Sequence, residues 1–352
     1  MRSIFKILIL FFGISSYSQE LIFENLFDSS FNSEIACYRI PSLITSINGT
    51  LIAAIDERNN SCGDLKWNGD INIVLRKSFD DGNTWTKIEK IIDYPEGESA
   101  SDPSMILDKQ TGHIFLFYNY MNLNMAKDVY RLMVIKSSDN GKSWSNPKDI
   151  TSQITKKSWE KDFMFITSGR GTQTKEGTLL HCLVNLDKGT HVFGSKDHGE
   201  NWFLVDYPLK PGDESKIVEL SNGDWLVNSR VNSNKFRYSH LSKDNGKSWF
   251  SFENKDLSDP ACNASLINYN TNSKSLLLFS NAFSSQERDN LSVSISYDQG
   301  MSWKNTKTIY KGKSAYSSMT VLKNGDIGLF FEKDNYTKNV FVRVPKKWIL
   351  DN

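Results

Sequence analysis

One short phrase, Ser-x-Asp-x-Gly-x-(Thr/Ser/Asn)-Trp, occurs five times along the chain and constrains its fold more than any other feature. The copies begin at Ser78, Ser137, Ser195, Ser242 and Ser296, so the steps between them are 59, 58, 47 and 54 residues. Such spacing is too regular for chance and too long for a helix pair or a solenoid rung. A period near ~50 residues is that of propeller blades. Within each phrase an Asp carboxylate can accept from nearby backbone N–H groups, a Gly is free to take φ > 0, and a Trp anchors the turn. Five of the nine tryptophans are used this way. Calcium loops are the rival reading of alternating Asp and Gly. None of the copies carries the further oxygen ligands in register, or the Glu at the twelfth position, that an EF-hand needs.

A second set of turns runs out of phase with the first: Asn48-Gly49, Thr111-Gly112, Glu176-Gly177, Asn222-Gly223, Asn272-Ser273 and Asn324-Gly325. Five of them each precede a Trp phrase. The sixth leads into Ile327 to Phe331 and Val340 to Val344 with no phrase between. Flanking runs such as Leu51 to Ile55, Ile114 to Tyr118 and Leu291 to Ile295 are short and rich in β-branched or aromatic residues, and nothing reads as a long amphipathic helix. The expected fold is all-β: a six-bladed β-propeller of four-stranded antiparallel blades, about 55 residues each, whose closure protects the sheet edges. A repeat array folds as one ring without linkers, so residues 19–352 are expected to form a single domain, closed by Leu21 to Phe27 beside the last strands.

Arg2 and Lys6 precede the apolar stretch Ile7 to Ile14, and Ser16-Tyr17-Ser18 offers small residues around a cut before Gln19. Residues 1–18 therefore read as a secretory signal peptide, and the mature protein as secreted or periplasmic, without an integral membrane segment. The four cysteines Cys37, Cys62, Cys182 and Cys262 match no zinc pattern and read first as buried free thiols; if one disulfide forms in that oxidising setting, Cys37 to Cys62 is the pair the sequence favours. With 42 basic and 41 acidic residues the net charge is +1, which gives no global field to attract nucleic acid, and a monomer is expected. Only ten of the basic residues are Arg. A guanidinium fork binds a carboxylate bidentately where an ammonium cannot, so each arginine merits individual attention.

Three arginines occur in Tyr38-Arg39-Ile40-Pro41, Asn228-Ser229-Arg230 and Glu287-Arg288-Asp289-Asn290-Leu291. Together with the Trp phrases, these segments resemble the exo-sialidases of glycoside hydrolase family 33, also called neuraminidases, from about residue 35 to 345. The resemblance implies that Arg39, Arg230 and Arg288 form the triad that clamps the carboxylate of a sialic acid. Arg58 in Ala54 to Arg58, followed by Asp64, resembles the segment that carries the catalytic aspartate. Asp64 is thus the implied general acid/base, with Asp70 as competitor at the start of a strand and Asp56 as a structural residue. Glu214 in Asp213-Glu214-Ser215 matches the family's Glu-Ser segment and is preferred to Glu219. Tyr316 in Ser314 to Ser318 matches the nucleophile segment. Arg58 and Asp102, the latter in Ser101-Asp102-Pro103-Ser104, are expected to bind ring hydroxyls, with a loop ion pair as the bland alternative. Trp67 is a guess for the N-acyl pocket.

The substrate explains a tyrosine nucleophile, because a sialic acid carries its carboxylate on the carbon to be attacked. A carboxylate nucleophile at ~4 Å would meet repulsion of roughly 1 to 4 kcal/mol, which a neutral phenol avoids. With a usual pKa of ~10 the phenol needs a base, which Glu214 supplies. Asp64, expected in surroundings of low polarity that keep it protonated, would donate to the leaving oxygen and later activate water, giving net retention. The five histidines are scattered without ligand spacing and no phosphate loop stands out, so no metal and no organic cofactor are expected. The implied activity is a retaining exo-α-sialidase acting on sialylated glycoconjugates. The alternatives are a trans-sialidase, an intramolecular variant, or a non-catalytic sialic-acid-binding propeller.

Overall fold

The computed structural model describes residues 20–126, 129–233, 235–271 and 274–351. Residues 1–18, read above as a signal peptide, and the expected Asn272-Ser273 turn lie outside them. The described residues are built almost wholly of antiparallel strands, with two short helices, Thr151–Ile154 and Lys346–Leu350, and three single 3-10 turns. No helix among them is long and apolar enough to cross a membrane.

The out-of-phase glycine turns are hairpins. Gly49, Gly112, Gly177, Gly223 and Gly325 all have φ between 78° and 97°, the left-handed region that tight reversals require. They join Cys37–Thr45 to Leu51–Arg58, Glu98–Leu107 to Ile114–Asn122, Thr172–Gln173 to Leu179–Asn185, Ser215–Glu219 to Trp225–Ser229, and Lys304–Val321 to Ile327–Lys333. The first strand of each hairpin lies innermost, and these inner strands stand side by side in a closed series. Cys37–Thr45 packs beside Glu98–Leu107, whose Ser104 and Met105 pair in parallel with Gly169 and Arg170. Thr167 Oγ1 donates to the Ser215 carbonyl at 3.0 Å. Lys216 Nζ donates to Asn263 Oδ1 at 2.8 Å, and Met319 N to Ser265 Oγ at 3.0 Å. Leu43 N donates to Ser318 Oγ at 3.0 Å and completes the circuit.

The sheets are not six separate four-stranded units. Among the described residues, four continuous sheets of seven, five, nine and four strands are present, in part because the 18-residue strand Lys304–Val321 pairs with Asp289–Ser296 through one half and Ile327–Lys333 through the other. Asp70 and Ile71 likewise bridge to Glu98 and Ser99. The core lies between neighbouring hairpin groups. In Leu51–Arg58, alternate side chains serve two interfaces: Leu51, Ala53 and Ile55 pack with Phe330 and Phe341, while Ile52 and Ala54 pack with Met105, Leu116 and Tyr118. A strand buried on both faces reads as a continuous apolar run, which is how this one appears in the sequence. At the end of the series Phe23–Asp28 pairs antiparallel with Lys338–Val344, so the start of the described chain completes the last sheet. Cys37 and Cys62 form a disulfide, while Cys182 and Cys262 are buried free thiols.

All five Trp phrases adopt one hydrogen-bonded turn. In the second, Gly141 N donates to Ser137 Oγ at 2.8 Å, Ser143 N to Asp139 Oδ1 at 2.9 Å and Ser143 Oγ to Asp139 Oδ2 at 2.6 Å. The bonds from Ser143 hold the Asp139 carboxyl down at about 2. Each turn docks on the preceding hairpin group, and the first docks on the last: a Cβ at Gly82 would lie 2.2 Å from the Phe341 ring. Gly141, Gly199 and Gly300 meet Ile52, Phe115 and Leu226 in the same way.

Two predictions follow from these turns. Gly82 and Gly223 share nearly the same φ, +89° and +92°, but a Cβ at Gly223 would meet nothing within 4 Å. Gly223→Ala is expected to cost about 1–2 kcal/mol from backbone strain alone, and Gly82→Ala a further ~1–3 kcal/mol from overpacking against Phe341. Equal Tm values for the two variants in thermal unfolding would contradict the docking. For Asp139 the folded pKa lies below the ordinary 3.8, so its stabilisation is complete above that value and is lost as pH falls towards about 2. The Tm deficit of Asp139→Ala relative to wild type should therefore be constant near neutrality and shrink on acidification below pH ~4.

Candidate active site

Three inner strands break their pairing at the same level. The register shifts between Arg39 and Ser42, between Ser101 and Ser104, and between Ser314 and Ser317. Ile40 and Asp102 there have φ of 68° and 63°, and each is followed by a proline that has no N–H to give to a ladder. Bulges of this kind re-aim side chains. A β-branched residue at positive φ is a conformational outlier, and the surrounding contacts must hold it. Glu332 does so at Ile40, whose N–H donates to Glu332 Oε1 at 2.9 Å.

Tyr316, Glu214, Arg39, Arg230 and Arg288 converge at this level. The Tyr316 hydroxyl donates to Glu214 Oε2 at 2.8 Å. Arg230 Nη1 binds the same carboxylate oxygen and also donates to the Tyr316 oxygen at 3.2 Å. The guanidinium carbons of Arg39 and Arg288 lie 5.6 and 5.5 Å from the centre of the Tyr316 ring. Burial, and then the Glu214 charge, push the phenol well above its ordinary range, with Arg230 and Arg288 pulling against them. The group is a neutral phenol at neutral pH, and it can become a nucleophile only as its proton leaves for Glu214. Arg288 donates to the Ala261 carbonyl at 2.9 Å and to the Tyr336 hydroxyl at 3.2 Å, both neutral acceptors.

Asp64 is set differently from expectation. Its side chain is 78% exposed, on the loop closed by the Cys37–Cys62 disulfide, and its Oδ1 accepts from Arg58 Nη1 at 2.8 Å. The enclosure of low polarity expected around it is not there. Arg58 has no exposed side-chain surface. It spends its donors on Asp56, Asp64 and the carbonyls of Cys62 and Gly63, so it grips the Asp64 loop from behind. Asp56 is structural, since it also accepts from Ser101 Oγ and from the N–H of Asp102. Asp102 is half-buried and accepts from Asn119 Nδ2 at 3.0 Å. Burial, with Asp56 adding its charge, raises its carboxyl well above the usual range. Asp70 caps the start of its strand and accepts from Asn59 at 2.7 Å. Glu219 is tied to the Lys175 N–H at 2.7 Å. Trp67 is 75% exposed beside Asp64 in the chain.

Sequence reasoning missed Glu332 and Tyr336. Glu332 Oε1 accepts from Arg39 Nε at 2.6 Å, and its Oε2 accepts from the Tyr316 N–H at 3.0 Å. The Tyr336 ring lies 4.1 Å beneath the Arg39 guanidinium. The signal for Glu332 was available: a carboxylate following the unbroken apolar run Ile327 to Phe331 is costly to bury without partners. Lys216, also missed, is buried under the site and donates to Ser168 O at 2.7 Å and Asn263 Oδ1 at 2.8 Å. Burial lowers its ammonium to about 8. Among the described residues, no group of three or more His, Cys, Asp or Glu side chains is arranged to hold a metal ion.

Comparison with known proteins agrees with this geometry. Residues 49–329 match the BNR repeat-like domain family. A sialidase of Bacteroides fragilis (strain YCH46) is 30% identical over 331 residues, covering 84% of this chain and 60% of that protein. A sialidase of Micromonospora viridifaciens is 31% identical over 327 residues, covering 84% and 50%. The chain thus spans between half and two thirds of the length of these relatives. Among solved structures, the Hadza microbial sialidase Hz136 has a TM-score of 0.82 at 28% identity, over 90% of this chain and 67% of that one. The intramolecular trans-sialidase of Ruminococcus gnavus has the same fold at 19% identity, with a TM-score of 0.80 over 94% and 98%. The architecture is that of the β-propeller sialidases. With the family model matched over most of this chain, and sialidases among the relatives it resembles, the chain belongs to the BNR repeat-like domain family.

Proposed function

We propose that this protein is a secreted, retaining exo-α-sialidase that hydrolyses terminal α-linked sialic acid from glycoconjugates, on a ring of six blades that forms one catalytic domain. The observation that carries the reading is the Tyr316 hydroxyl 2.8 Å from Glu214 among three arginines. Arg39, Arg230 and Arg288 bind the substrate carboxylate and fix the sugar over Tyr316. The Tyr316 oxygen attacks the anomeric carbon as its proton passes to Glu214, and the glycosidic bond breaks as Asp64 protonates the leaving oxygen. Asp64 then takes a proton from water, the water oxygen replaces the tyrosyl oxygen, and Tyr316 recovers its proton from Glu214. Two displacements give net retention. In this scheme Arg58 positions Asp64, and Asp102, kept largely neutral, is the side chain available to a ring hydroxyl. The apolar stretch within residues 1–18 supports export. A second reading, intramolecular transfer, is favoured only by the shared fold of the leech and R. gnavus intramolecular trans-sialidases.

A fluorogenic sialoside assay tests the assignments. Tyr316→Phe is expected to lose about 10³-fold or more in kcat, since it removes the nucleophile. Asp64→Ala should lose about 10²- to 10⁴-fold on a sialyl-lactose and much less on an aryl sialoside, whose leaving group needs no proton. Full activity in both variants would sink the roles, and binding without turnover by wild type would make the protein a lectin. An NMR time course of the first product separates the two readings: the α-anomer is expected, and a 2,7-anhydro product would identify intramolecular transfer.

A further inference from the structure

The inner strands that start at the catalytic level end, on the order of 15–20 Å away along their length, around a second cavity of about 270 Å³ at the opposite mouth of the ring. Thr45, Val218, Asn268 and Thr320 are among its walls. Every charged residue in the lining is cationic: Lys109, Arg170 and Lys323. Of the nine arginines in the described residues, most have found an acid or belong to the catalytic site. Arg237 pairs with Asp259, Arg343 with Asp326 and Arg131 with Asp149, while Arg76 lies in the field of Glu24. Arg170 has none. Its one side-chain hydrogen bond among the described residues runs from Nη1 to the Met319 carbonyl at 2.8 Å, leaving the rest of the fork uncommitted.

The electrostatics agree with that inventory. Burial, with no carboxylate to offset it, pulls the Arg170 guanidinium down to about 10. Lys109 is lowered by burial and then by Arg170 itself. Two cations are thus held against one another at the edge of a cavity, an arrangement that a bound anion would relieve. The cavity is large enough for a phosphate-sized group, and a guanidinium fork beside ammonium groups suits an oxyanion.

We infer that this mouth is a binding site for a small oxyanion, a phosphate or carboxylate group held by Arg170 with Lys109 and Lys323. It is separate from the carboxylate clamp of Arg39, Arg230 and Arg288, and it does not depend on the sialidase reading.

Calorimetric titration with inorganic phosphate, at ionic strength held constant with sodium chloride, tests the site. Wild type should bind. Arg288→Met, altered at the candidate catalytic mouth where the guanidinium donates to neutral acceptors, should keep that binding, while Arg170→Met should weaken it at least about tenfold. Because Arg170→Met removes a bond to the Met319 carbonyl and can disturb folding, the Lys109→Met/Lys323→Met double variant provides a second test on exposed residues. It should weaken phosphate several-fold with sialoside turnover unchanged. The inference is overturned if wild type shows no binding at 50-fold excess over a millimolar Kd, at roughly 50 mM phosphate. It is equally overturned if Arg288→Met abolishes the binding, or if both the Arg170 variant and the double variant retain it.

Discussion

Glu332 has no exposed surface and sits where the first inner strand meets the last. Its two oxygens are divided between them. Oε1 takes Arg39 Nε and the Ile40 N–H, and Oε2 takes the Tyr316 N–H. A buried carboxylate is tolerable only when its lone pairs are satisfied, and losing any of these donors would leave an uncompensated charge. The anion therefore forces the Arg39 side chain, the strained bulge at Ile40 and the Tyr316 backbone into a fixed relation. The phenol-to-Glu214 contact depends on that relation, since the Tyr316 ring is steered by the backbone that Glu332 holds.

The charges of the site divide into those already paired and those left for a ligand. Arg39 is neutralised by Glu332, Arg230 by Glu214, and Arg58 by Asp56 and Asp64. Among the described residues Arg288 donates to neutral acceptors, which leaves its charge available to an anionic ligand. The Arg230 pairing has a second effect. By sharing Glu214 Oε2 with the Tyr316 hydroxyl, the guanidinium sits beside both the carboxylate and the phenol oxygen. In the mechanism proposed above, such preorganised positive charge would be worth most as the phenol loses its proton, and would lower the barrier more than it tightens ground-state binding.

What the sequence revealed was what rests on local rules. Gly49 to Gly325 mark hairpins because a tight reversal needs φ > 0, and the Asp of each Trp phrase bonds within four residues of itself. Cys37 and Cys62 stand out as the best candidate pair, though free thiols are the first reading of the sequence and it is the structure that joins them, and the three arginines and Tyr316 stand out through their motifs. What was not legible depends on meetings between distant segments. Glu332 reaches Arg39 across 293 positions of chain, and no local pattern records that partnership. The exposure of Asp64 and the burial of Arg58 follow from how the disulfide loop lies over Asp56, which propensity does not encode. The joined sheets arise because Lys304–Val321 continues as one strand past the point where its partner changes.

The Trp phrases carry no chemistry, but the site depends on them through closure. Each turn buries its glycine against the hairpin group before it, so the groups are locked in order around the axis. The last group has no phrase of its own. It offers Phe341 instead, onto which the first phrase docks with Gly82 and, at 5.1 Å between ring centres, Trp85. Phe23–Asp28 then adds to the far side of the same sheet. Closure is thus made by side-chain docking on one side of Lys338–Val344 and by strand pairing on the other, at the joint between the groups that carry Arg39 and Tyr316. Opening that joint would separate Arg39 from Tyr316 and expose the core that Leu51, Ala53 and Ile55 share with Phe330 and Phe341. At this joint, loss of packing and loss of the candidate site would therefore coincide.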